Sequence, residues 1–143
     1  MRTATTALTL LLGAALVMPG CGADTPAPAS APVQWTSSKP NPQVGSVRAA
    51  IIERPAPDRA WIEVQWDGRN HGDECALTIT LPEGAILLEG EPTRPLGIDE
   101  AVGLHRWLVE FPLGDPLDAV LRYCAMTPDG MRACEAAVRL TED

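Results

Sequence analysis

The segment Ala60-Trp61-Ile62-Glu63-Val64-Gln65-Trp66 decides the fold class. Ala60, Ile62, Val64 and Trp66 alternate with Trp61, Glu63 and Gln65, so an extended chain has one apolar face and one polar face. A helix would scatter the same apolar positions around its circumference. The alternation recurs at Cys75, Leu77, Ile79 and Leu81, at Trp107, Val109, Phe111 and Leu113, over 117–123, and at Cys134, Ala136, Val138 and Leu140. Shorter runs cover 44–52 and 85–89. The separators are turn formers: 54–57 (Arg-Pro-Ala-Pro), 67–73, Pro82-Glu83-Gly84, Gly114-Asp115-Pro116 and Pro128-Asp129-Gly130. No window has a capped helical period. The pattern predicts an all-β, antiparallel sandwich.

About seven short strands in roughly 110 residues suit a sandwich of immunoglobulin type, placed over residues 35–143. The chain has 143 residues, room for one such domain. Its formal charge of −8 repels phosphate backbones, which excludes nucleic acid as a partner. There is no glycine-rich phosphate loop. The serines, Ser30, Ser37, Ser38 and Ser46, cluster near the start, and His71 and His105 are the only histidines, a poor inventory for a serine hydrolase. Asp73 with Glu74 and Asp99 with Glu100 are sequence neighbours on loops, unlike an acid/base pair that converges across a cleft. No cofactor is expected.

Residues 1–20 have the three-part layout of an export signal: Arg2, an apolar run over 7–18, and Gly20 as the small residue before Cys21. Val17-Met18-Pro19-Gly20-Cys21-Gly22 resembles a bacterial lipobox, which implies a diacylglycerol on the Cys21 thiol and cleavage before it. Gly22, where retained lipoproteins carry Asp, implies the outer membrane, with the domain facing the periplasm or the surface. Each buried methylene adds about 0.8 kcal/mol to such an anchor. Residues 21–34 are rich in Pro and Ala over 23–32 and read as an extended tether. The expected partners are the membrane, through the lipid, and an envelope protein. Trp61, on the polar face of its strand, and Trp35, at the tether junction, are candidate contact residues.

With Cys21 acylated, Cys75, Cys124 and Cys134 remain, and in an oxidising compartment they read as disulfide before metal. A type I turn with a Gly bulge over 127–131 places Cys124 opposite Cys134; a two-residue turn pairs Thr127 with Gly130 and Cys124 with Ala133. The turn residues favour the first and the apolar stripes the second. The expected bridge is Cys124–Cys134, with Cys75 left as a buried thiol. Met126 and Met131 flank the same hairpin, and thioether plus thiolate is a donor set that selects Cu(I). The loop residues Asp67, Asn70, His71, Asp73 and Glu74 offer oxygen and imidazole ligands without EF-hand spacing. His105 shares the parity of Trp107 and is expected at the core edge.

An apolar strand, Leu81-Pro82-Glu83-Gly84, a Pro-rich stretch over 91–95, a strand over 104–113 and a closing Arg122-Tyr123-Cys124…Cys134…Val138-Arg139-Leu140 together resemble the amino-terminal domain of the thiol:disulfide interchange protein DsbD. The resemblance spans about residues 60–140. It implies an immunoglobulin-like fold and would make Cys124 and Cys134 an exchanging redox pair. The leading reading is a non-enzymatic binding or structural module on a lipid anchor. Thiol:disulfide exchange and Cu(I) binding at the Cys/Met hairpin are the alternatives.

Overall fold

The computed structural model describes residues 32–69 and 74–142, which belong to one compact unit beginning at Pro32. The export signal, Cys21, the tether as far as Ala31, and loop residues Asn70, His71 and Asp73 lie outside the described residues.

Nine strands run in chain order: β1 (Thr36–Ser37), β2 (Gly45–Ala56), β3 (Arg59–Gly68), β4 (Cys75–Thr80), β5 (Ile86–Glu89), β6 (Thr93–Leu96), β7 (Val102–Glu110), β8 (Asp118–Thr127) and β9 (Gly130–Arg139). They form two antiparallel sheets, β1-β2-β3-β7-β5 and β6-β4-β8-β9, packed as a β-sandwich. Two strands exceed the expected seven. β1 is only two residues long, and β6 carries Pro95, which an edge strand tolerates because its amide is not needed by a second neighbour. β7 starts at Val102, before the Trp107 stripe, and ends at Glu110. Phe111 stays buried beyond it, while Leu113, expected on the same stripe, is an exposed loop residue.

Two hairpins close on the same dipeptide. Ala56 pairs with Arg59 around Pro57-Asp58, and Thr127 pairs with Gly130 around Pro128-Asp129. Proline presets φ at the first loop position, and Gly130 takes the left-handed φ of 105° that the return requires. The Thr127 hydroxyl accepts from the Asp129 amide at 3.3 Å and donates to the Gly130 carbonyl at 2.8 Å.

The apolar parity of each strand meets between the sheets. Ile62, Val64, Trp107 and Val109 face Leu77, Leu121, Tyr123 and Leu140, all fully buried. Two glycines set the clearances. A Cβ on Gly68 would overlap the Tyr123 hydroxyl, and one on Gly103 would lie 2.6 Å from Trp66 Cζ2, its cross-strand neighbour. Register shifts in β2 around Glu53 leave Ile52 unpaired and bend the strand end, so that Arg54 donates to the Leu140 carbonyl at 2.7 Å and pairs with Glu142 at 3.0 Å.

Candidate functional site

The alternation that buries Ala60, Ile62, Val64 and Trp66 turns Trp61, Glu63, Gln65 and Asp67 to the outside of the five-stranded sheet. The register with β7 sets Trp61 against Leu108, Glu63 against Arg106, Gln65 against Leu104 and Asp67 against Val102. On the other side, β2 brings Arg48 opposite Gln65 and Ala50 opposite Glu63.

A polar ladder crosses three strands on this face. Arg106 donates through Nε and Nη2 to Glu63 Oε2, both at 2.8 Å; Gln65 Nε2 donates to Glu63 Oε1 at 2.7 Å; Arg48 Nε donates to Gln65 Oε1 at 2.9 Å. The Arg48 guanidinium lies 4.7 Å from the centre of the Trp35 ring, which joins the first described residues to the sheet by a cation–π contact. Glu63 is only 6 % exposed, because Ala50 leaves it room to lie down beneath its partners. Two guanidiniums against one carboxylate give the ladder a positive balance in an acidic chain.

Apolar side chains frame the ladder. Val102 is 68 % and Leu104 56 % exposed, Ile86 and Leu88 project from β5, and Trp61 with Leu108 is half-buried. At the β1 end of the face lies an open cleft of about 310 Å³ lined by Ser37, Ser46, Arg48, Gln65, Asp67 and Val102. Exposed aliphatics, a Trp and hydrogen-bonded Arg thus share one face.

The thiols are arranged otherwise than expected. The hairpin takes the two-residue register, so Cys124 pairs with Ala133 and Cys134 with Tyr123. One step of parity turns Cys134 into the core and Cys124 to the outer face of the four-stranded sheet, and no disulfide joins Cys75, Cys124 and Cys134 to one another. The expected Cys124–Cys134 bridge is therefore corrected: two thiols on opposite faces of one sheet cannot bond without a register slip. Cys75 is buried as expected and lies 3.7 Å from the Tyr123 hydroxyl.

No family model and no curated protein matches the chain.

Burial raises the pKa of both Cys124 and Cys134, against opposing contributions from Arg122 and Thr78 at the first and from Ser38 at the second. An attacking thiol needs the opposite shift. Burial also pushes the Tyr123 phenol up strongly, with the Cys75 hydrogen bond acting in the same direction. Met126 and Met131 form a directly opposed cross-strand pair, 46 % and 55 % exposed, on the same face as Cys124. His105 stands at the core edge, its ring edge-on to Trp107 at 4.6 Å; burial, then the Arg94 charge, lowers its pKa. Among the described residues no three His, Cys, Asp or Glu side chains converge as a metal site. Asp67 belongs to the cleft wall, and Glu74 precedes β4.

Trp61 and Trp35, singled out from the sequence, both belong to the outer face of the five-stranded sheet. The Arg48–Gln65–Glu63–Arg106 ladder was not expected. Its only sequence signal is the polar stripe Glu63, Gln65 and Asp67, and the arginines cannot be assigned to it until β2 and β7 are known to flank β3.

Proposed function

We propose that the protein is an envelope lipoprotein, anchored through Cys21, whose sandwich is a non-enzymatic binding module that docks a protein partner on the outer face of the five-stranded sheet. The observation that carries this reading is the exposed Val102, Leu104, Ile86 and Leu88 set around an arginine-bearing ladder. Burying those side chains gives the association its apolar driving force, about 25 cal/mol per Å² removed from water. Arg48 and Arg106 supply orientation and select an acidic rim on the partner. The lipobox-like Val17–Gly22 stretch supports the anchor.

Two measurements test the reading. Fatty-acid labelling in the native host is expected to mark the wild-type chain and to vanish in Cys21→Ala. A photo-crosslinking residue placed at Leu104 is expected to give a discrete adduct in the envelope, while the same residue at Ala137, on the opposite sheet, gives none. Equal adducts from both faces, or none from Leu104, would refute the docking face. Label retained in Cys21→Ala would refute the anchor.

A further inference from the structure

The outer face of the four-stranded sheet carries a second feature, independent of the docking surface. Met126 and Met131 are directly opposed across the hairpin, and Cys124 lies two residues back on the same strand and the same face. Side chains directly opposite in an antiparallel pair have Cβ atoms about 4.5–5.5 Å apart, and diagonal neighbours about 7–8 Å. Methionine has three rotatable bonds, so its sulfur can cover the diagonal. The residues beside Cys124 on both neighbouring strands are Ala76 and Ala133, the smallest side chains that an L-residue offers. Neither directly opposed neighbour therefore fills the space beside the thiol. Cys134, which the sequence also suggested for such a site, is turned into the core and cannot contribute.

We propose that Cys124, Met126 and Met131 bind one Cu(I) as a three-sulfur site on this face. Two thioethers and a thiolate are soft donors that select Cu(I) over the harder divalent ions. On binding, the Cys124 thiol gives up its proton to solvent and the sulfur takes the metal, so the singly charged ion is neutralised by a single thiolate and no electron is transferred. Arg122, two residues before Cys124 on the same face, is ion-paired with Glu135 at 2.9 Å. The exposure of both methionines also finds a use here, since neither contributes apolar area to the core.

The test is competition for Cu(I) under anaerobic conditions between the full chain and the coloured chelator bathocuproine disulfonate. Wild-type protein is expected to withdraw one Cu(I) per chain, with sulfur as the sole nearest scatterer in X-ray absorption. The exposed, volume-conserving pair Met126→Leu/Met131→Leu is expected to weaken binding by about tenfold or more, since lost outer-shell partners alone cost that much. Cys124→Ala is expected to abolish binding, and Cys134→Ala to leave it unchanged. Circular dichroism of each variant establishes that the sandwich is intact. No copper withdrawn, wild-type affinity in the Leu/Leu chain, or loss in Cys134→Ala but not in Cys124→Ala would each overturn the assignment.

Discussion

Glu63 and Arg106 form an ion pair whose two members are unequally placed, and removing them is expected to have unequal effects. The Glu63 side chain is 8 % exposed and the Arg106 side chain 55 %. In Arg106→Met the methylene stem is replaced, but Glu63 Oε2 loses both of its guanidinium donors and keeps only the Gln65 contact on the other oxygen. A hydrogen bond to a charged group contributes about 1.5–3 kcal/mol, and two bonds converging on one oxygen from a half-exposed donor count as roughly one, so the expected loss is about 2 kcal/mol. In Glu63→Gln an amide oxygen still accepts from Gln65, and Arg106 swings into water, which costs only about 0.5–1 kcal/mol. Urea unfolding of both variants beside wild type, followed by tryptophan fluorescence at neutral pH, measures the difference. The double variant has no orphaned carboxylate and is expected to recover part of the Arg106→Met loss. Glu63→Gln proving the more damaging, or a double variant equal to the sum of the singles, would refute this account of the ladder.

Three further outcomes are expected. Gly103→Ala drives a methyl to within 2.6 Å of Trp66, whose indole is held by a 2.8 Å bond to the Glu100 carbonyl, so it should destabilise by about 1–3 kcal/mol and lower the melting temperature, and the same substitution should cost far less in a Trp66→Leu background. Because burial lowers the His105 pKa below 6.5, the unfolded chain takes up the proton first; stability is fully present above pH 6.5 and falls as the pH drops towards the folded-state value, and His105→Gln should flatten that slope in melts between pH 7.5 and 5. Under native conditions a maleimide should modify Cys124 before Cys75 or Cys134, as peptide mapping would show, and mild reductant should change neither the mass nor the melting temperature of the described domain.

The sandwich was legible because burial on one face forces period-two alternation, and β3, β4, β8 and β9 all display it. β6 escaped because the Pro-rich 91–95 stretch reads as loop, and only its place at a sheet edge makes Pro95 compatible with pairing. The hairpin shows where local chemistry and burial compete. Pro128-Asp129-Gly130 suited a bulged turn, but the core face of β9 needs Cys134, Ala136 and Val138 inside, and burial of that stripe fixed the register. The ladder on the outer face was illegible because it joins residues of β2, β3 and β7, and no local pattern says which strands are neighbours.

The two Pro-Asp hairpins have a bearing on how the chain reaches this architecture. Hairpins form in about 1–10 μs, and β2–β3 and β8–β9 need nothing beyond their own loops. The remaining seams join distant stretches: β3 must find β7, where Arg59 meets Glu110 at a separation of 51 residues, and β4 must find β8. Such non-local pairing places sandwiches among the slower two-state folders, in milliseconds to seconds. The β2–β3 and β8–β9 hairpins are thus the pairings with the least loop entropy to overcome, and the β3–β7 and β4–β8 seams those that wait on long-range closure.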